Sequence, residues 1–185
     1  DRTQLASMAT QAKTAVGEET LEVLADRGYF KGPEILACEQ SGITPFVPMT
    51  MTSDNKARGL FDKRDFIYQA DQDVYRCPTG QLLPRHHQSV EQGLVIHTYY
   101  NLSACMQCPI KARCTTAERE RRVRRWEHED VLESMQRRLD ASPAKMRRRR
   151  STVEHVFGTL KFWMGAAHFL TKTRPRVQTE MSLHV

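Results

Sequence analysis

No apolar run in these 185 residues approaches the length of a membrane-spanning helix, which takes about 20. A secretory leader is missing too. The first residues, DRTQLASMATQAK, already space their apolar side chains as an amphipathic helix does. With nothing pointing to secretion, disulfides are the poorer use of the five cysteines. The chain also lacks an initiator methionine, since residue 1 is Asp. An excised piece or a fragment of a longer reading frame is therefore expected. Wholesale disorder is excluded as well, because 39% of the residues are hydrophobic against 27% charged.

What is present begins with charge. The net charge is +6, and it is unevenly placed. Residues 118–150 hold twelve Lys and Arg against seven Asp and Glu, an excess of five that is nearly the whole surplus. Such a stretch fits an anionic partner, of which nucleic acid is the commonest, or else a solvated helix face.

The first fifty residues read helix, strand, helix, strand. Leu5, Met8, Ala12 and Val16 fall at helical spacing, with Asp1 and Gln4 placed for a variant capping box and Gly17 as the stop. LEVLAD (21–26) reads as a buried strand and RGYFKGPE as a turn. PEILACEQSG reads as a second helix with Pro33 in its first turn, and ITPFVPM (43–49) as a second strand. This alternation predicts an α/β arrangement with 21–26 and 43–49 as parallel neighbours. The middle differs. After a polar loop at 51–59, the runs 66–68 and 74–77 predict a hairpin, and LVIHTYY (94–100) a further strand. Helical periodicity returns near residue 129. Ser142-Pro143 predicts a helix start, with serine as N-cap, for a helix over 143–164 stopped by Gly165.

Two groups of residues carry chemistry. Cys77-Pro, Cys105-x-x-Cys108-Pro and Cys114 provide four thiols. The Cys-x-x-Cys pair supplies two thiolates on one tight turn, and Cys77 with Cys114 can complete a zinc tetrahedron. His86, His87 and His97 are substitutes for the weaker fourth ligand. Unconnected or redox thiols are the other reading, and Cys38 belongs to the core of the second helix. The second group lies on the last helix. At about 100° per residue, Met146, Val153, Phe157, Leu160 and Met164 share one face, and Lys161, Glu154 and Arg147 line its flank. Glu154 and Lys161 are roughly 10 Å apart along the axis, too far for a good ion pair. They suit successive points on a polyanion, with a metal ion and phosphate as the partner of Glu154. A surface carboxylate without a role is the alternative. Asp26 closes a buried strand, where open α/β sheets gather ligands, so it is either a metal-binding carboxylate or a turn cap.

LADRGYFKGPEILACEQSGI and RSTVEHVFGTLKFWMG, with Cys-Pro-x-Gly-Gln at 77–81 and Cys-x-x-Cys-Pro at 105–109, resemble the DDE transposases of bacterial insertion sequences. The likeness is to the group with a cysteine-rich insertion before the glutamate helix. The Tyr-x2-Arg-x3-Glu-x6-Lys signature is met by Arg150, Glu154 and Lys161, while Arg147 stands at the tyrosine position. Asp26 matches the second catalytic aspartate.

The resemblance implies a ribonuclease-H-like core, partial here and lacking its first three strands and first aspartate. That core is split between 1–50 and 129–171, interrupted by a small β-rich zinc-binding insertion at 51–128, and followed at 172–185 by the start of a truncated C-terminal segment. It further implies two Mg²⁺ ions held by Asp26, Glu154 and the absent aspartate, about 3.5–4 Å apart, for DNA strand cleavage and transfer. Arg147, Arg148, Arg149, Arg150 and Lys161 would bind DNA, with Arg150 and Lys161 fixing phosphate beside the metals. Zn²⁺ would be structural. The implied partners are double-stranded transposon ends and target DNA, with a homodimer as an option and no membrane, in the bacterial cytoplasm at the nucleoid. A zinc-stabilised DNA-binding remnant without chemistry, and a basic RNA-binding zinc protein, are the competing readings.

Overall fold

LEVL forms β1 (Leu21–Leu24) and ITPF forms β2 (Ile43–Phe46) in the computed structural model, which describes residues 2–50, 53–154, 158–159, 162 and 168–184. The two strands pair in parallel, Leu21 opposite Ile43 and Leu24 opposite Phe46, as the alternation predicts. Joining them is α2 (Gly32–Gln40), which packs on β2 and on α1 (Leu5–Val16). The Ala25 N–H donates to the Phe46 carbonyl at 3.1 Å, extending the ladder by one residue and leaving Asp26 as the first residue beyond it. Pro45 is fully buried within β2. It brings no N–H, which a strand tolerates at a sheet edge, and β1 is the one neighbour of β2 among the described residues.

These elements belong to one of two compact units, formed by Asp1–Pro48 with Ser134–Val185. Its buried side chains include Leu5, Ile35, Cys38, Ile43, Val47 and Met135, each contributing about 1.5–3 kcal/mol when taken from water. Cys38 is thus a core residue, and burial pushes its thiol up to about 11. Gln4 holds the N-cap of α1 without a side-chain bond, so it makes no capping box; Asp1 lies outside the described residues. Gly17 ends α1 at φ 75°, a left-handed conformation that glycine adopts without a Cβ clash.

Chain connectivity passes through α4 (Glu129–Ala141) to α5 (Pro143–Arg149), a π-helical segment (Arg150–Glu154) and α6 (Arg174–His184). Two expectations are corrected here. Ser142 holds the N-cap position of α5 but makes no side-chain capping bond. The helix foreseen over 143–164 is α-helical over Pro143–Arg149 and passes into π geometry over Arg150–Glu154, and among the described residues beyond, Gly158 is again α-helical. A π turn closes i→i+5 rather than i→i+4, so the 100° step does not carry past residue 149. The side chains of Val153 and Glu154, and residues Phe157, Leu160, Lys161, Met164 and Gly165, lie outside the described residues.

The second unit, Met49–Glu133, is built on a five-stranded sheet in the order β3 (Ile67–Gln69), β4 (Val74–Arg76), β5 (Leu82–Glu91), β6 (Leu94–Tyr99) and β7 (Val123–Trp126), antiparallel throughout. A bulge interrupts β5 between Arg85 and His87. Phe66, Tyr75, Leu83, Tyr99 and Val123 form its core, with Cys77 and Cys114 packed against them. Arg125 is buried in this unit. It bonds Tyr75 Oη at 3.2 Å, pairs with Glu133 and stacks 3.8 Å from the Tyr68 ring centroid.

Candidate active site and cysteine pocket

Asp26 ends the β1 side of the parallel pair and caps a 3-10 turn, Arg27–Tyr29. Its Oδ1 accepts from the Gly28 N–H at 2.8 Å. Glycine permits this approach, because a Cβ at residue 28 would stand 3.0 Å from that oxygen. Oδ2 accepts from Arg149 Nη2 at 3.4 Å. Asp26 is therefore both a turn cap and a half-exposed carboxylate offered to a cation.

The same helix face makes a second contact of this kind. Lys145, one turn before Arg149, pairs with Glu22 and lies 4.0 Å from the Phe46 ring centroid. Residues i and i+4 share a helix face, and residues an even number apart share a strand face. Lys145 and Arg149 thus meet Glu22 and Asp26 in matching order, binding α5 to β1. Glu22 and Lys145 were not singled out from the sequence, although their fourfold spacing from Asp26 and Arg149 was the signal. Arg147, Arg148 and Arg150 are exposed on the other side of the helix. Five residues beyond Arg149, Glu154 closes the π-helical segment. Lys161 lies outside the described residues.

The positive stretch is largely neutralised within the protein. Arg119 and Arg122 pair with Glu120, Arg124 with Glu91, Arg125 with Glu133 and Arg138 with Glu39. Among the described residues, Arg147, Arg148 and Arg150 show no ion pair. Arg121 and Arg137 likewise show none, so three of the five cations of residues 118–150 without an ion pair among the described residues lie on α5 and its extension.

In the second unit, Cys77, Cys105, Cys108 and Cys114 line one small pocket together with Pro78 and Arg121. Cys77 sits at the turn after β4, where its N–H donates to the Gln81 carbonyl at 2.9 Å and Gly80 N–H returns to the Cys77 carbonyl at 2.8 Å. Cys105 lies in α3 (Leu102–Met106), and Cys108 follows in the turn beyond it. Burial pushes the Cys114 thiol up to about 11, and the other three cysteines add to this while Arg121 opposes it. The thiols do not close on one another as ligands: among the described residues, no three His, Cys, Asp or Glu side chains form a group able to hold a metal ion. None of His86, His87 and His97 lines the pocket. His86 instead bonds the Tyr100 carbonyl at 3.0 Å and stacks on the Tyr100 ring.

No helix among the described residues is long and apolar enough to cross a membrane. The family described as "Transposase DDE domain" matches residues 76–185, well over half of the chain. This span contains the four pocket cysteines, Arg150, Glu154 and Lys161, while Asp26 precedes it. No curated protein and no solved structure matches the chain. The family goes with a ribonuclease-H-like α/β fold, and the described residues are mixed α/β with two sheets.

Proposed function

The chain belongs to the DDE transposase domain family, and we propose that it supplies part of the active site of a bacterial insertion-sequence transposase that cleaves and joins DNA strands. Asp26 and Glu154 are the two carboxylates of that site in this chain. The observation that carries the reading is the bond from Arg149 to Asp26. It ties the carboxylate at the end of β1 to the helix that leads, one π-helical segment later, to Glu154. Asp26 Oδ2 meets Arg149 here, a long contact that a metal ion would displace, and a carboxylate is the hard oxygen donor that Mg²⁺ takes. Asp26, Glu154 and one further aspartate would hold Mg²⁺, and the bound ion would supply Lewis-acid chemistry for strand cleavage and joining.

The protein's own groups do the rest. Arg147, Arg148 and Arg150 hold phosphates beside the carboxylates, and Lys161 extends this contact along the strand. Duplex transposon ends and target DNA are the substrates, within the bacterial nucleoid, and a homodimer would bring two ends together. The split core comprises 1–50 and 129–171, with 51–128 as its insertion and 172–185 opening a further segment.

Manganese titration of this chain, read by electron paramagnetic resonance, tests the shared site. Asp26→Asn and Glu154→Gln should each weaken Mn²⁺ binding at least about tenfold. If neither changes it, the two carboxylates do not share a metal. A chain that binds DNA but no Mn²⁺ would favour the remnant without chemistry.

A further inference from the structure

The four-cysteine pocket lies in the unit Met49–Glu133, which contains neither Asp26 nor Glu154. We propose that Cys77, Cys105, Cys108 and Cys114 hold one structural zinc ion that fastens the turn after β4 to the segment following β6. Three observations converge on it. First, four thiols from three separate points of the chain line one pocket, although the five cysteines of the protein are otherwise spread among 185 residues. All are free, so no disulfide consumes them. Second, Cys77-Pro-Thr-Gly and Cys105-x-x-Cys108 are tight turns closed by their own backbone bonds, the first through Gly80 at φ 84°.

Third, Arg121 lines the same pocket, and its buried Nε has no hydrogen-bond partner. Its other groups are engaged: Nη2 reaches the Phe61 carbonyl at 3.5 Å, and the guanidinium lies over the Phe66 ring. An orphaned buried N–H is costly. Four thiolates around Zn²⁺ carry a net charge of −2, which a neighbouring arginine N–H offsets, so the metal site gives this donor its acceptor.

Among the described residues the four thiols share a pocket without yet forming a group able to hold the ion, so zinc would draw them in to the roughly 3.8 Å separation of a tetrahedral site with Zn–S bonds of about 2.3 Å. Zinc binding displaces four thiol protons to solvent and forms four Zn–S bonds, with no change of oxidation state. The site is independent of the carboxylates, so it stands or falls apart from the strand-cleavage reading.

Metal analysis of the purified full chain should find about one zinc per molecule, released in proportion as four thiols are titrated by an organomercurial. Replacement by Co²⁺ should give the absorption of a tetrahedral thiolate site. Cys38→Ala should leave that spectrum unchanged, whereas Cys77→Ser or Cys114→Ser should alter or abolish it. Arg121→Met should keep the tetrathiolate spectrum while weakening metal affinity by about 10- to 100-fold. Metal-free protein whose Co²⁺ spectrum shows no thiolate ligation would overturn the proposal. So would a disulfide between two of the four cysteines in protein purified under reducing conditions. Unaltered affinity in Arg121→Met would remove the arginine from the site.

Discussion

Asp73 shows how much one residue can organise. It occupies the turn between β3 and β4 at φ 51°, a left-handed conformation that Asp and Asn tolerate better than most side chains. Its Oδ1 accepts from Tyr68 Oη at 2.9 Å and from Tyr99 Oη at 2.6 Å, and its Oδ2 pairs with Arg85 at 3.1 Å. Tyr99 is 1% exposed, so its hydroxyl has no water to turn to. Asp73→Ala should therefore cost about 2–4 kcal/mol, from the orphaned buried hydroxyl together with the strain of a left-handed alanine. The urea midpoint of the purified chain measures this. The pH dependence has a definite sign. Burial pushes the Asp73 carboxyl up, but the tyrosine hydrogen bonds and the Arg85 charge prevail and hold it below its ordinary value. The folded state thus favours the ionised form. Its contribution is present above the unfolded carboxylate value of about 3.9 and is lost as pH falls through the lower folded value. The stability difference between the native chain and Asp73→Asn should narrow as pH is taken from 6 to below about 4. A gap constant across that range would remove the charge from the explanation.

At the scale of elements, α5 has two faces with different work. Lys145 and Arg149 are turned onto Glu22 and Asp26, while Arg147, Arg148 and Arg150 face solvent. Replacing the exposed three with alanine should flatten the slope of log K against log salt for duplex DNA by about 0.9 for each phosphate no longer neutralised. Arg149→Ala should change that slope less, and should cost only about 0–1 kcal/mol of stability for a pair in which Asp26 is half-exposed. Filter or fluorescence binding at several salt concentrations separates the two, and equal slopes for both variants would show that Arg149 also meets phosphate.

The helical side of this architecture was legible because apolar periodicity and punctuation agree there. Leu5, Ile35 and Ile43 carry the pattern, and Gly17 and Pro33 bound it. β5 was not legible. Its ten residues bury only Leu83, open on Leu-Leu-Pro and run through Arg85, His86, His87 and Gln88 without alternation. Its hairpin partner follows through Gln92 and Gly93, both left-handed, where Asn-Gly would have been the clearer signal. β7 was hidden for a related reason: Arg125 faces the core on a strand that reads as a charge run, buried by its bonds to Tyr75 and Glu133. The π-helical turn before Glu154 leaves no trace in residue type. The carboxylate was found by its spacing from Arg150 and Lys161, while its helical phase was not.

For the whole molecule, the question is what a zinc ion would hold. The unit Met49–Glu133 rests on a core cluster of five buried residues. A structural zinc contributes about 10–16 kcal/mol in small metal-bound domains, enough to decide whether a unit of this size folds. The loss should begin where the ligands are attached, at 77–81 and 101–114, and spread through β4, β5 and β6, which share the core with Cys77 and Cys114. Hydrogen exchange with mass-spectrometric readout, before and after chelation at neutral pH, follows this directly. Peptides covering 66–126 should lose protection. Peptides covering β1, α2 and β2 carry none of the four cysteines and should keep theirs. Protection restored by adding back one equivalent of Zn²⁺, and not by Mg²⁺, would tie the loss to a thiolate site, since Mg²⁺ takes oxygen ligands. If chelation leaves 66–126 protected, the sheet is stable on its own core and the cysteines are not what holds it.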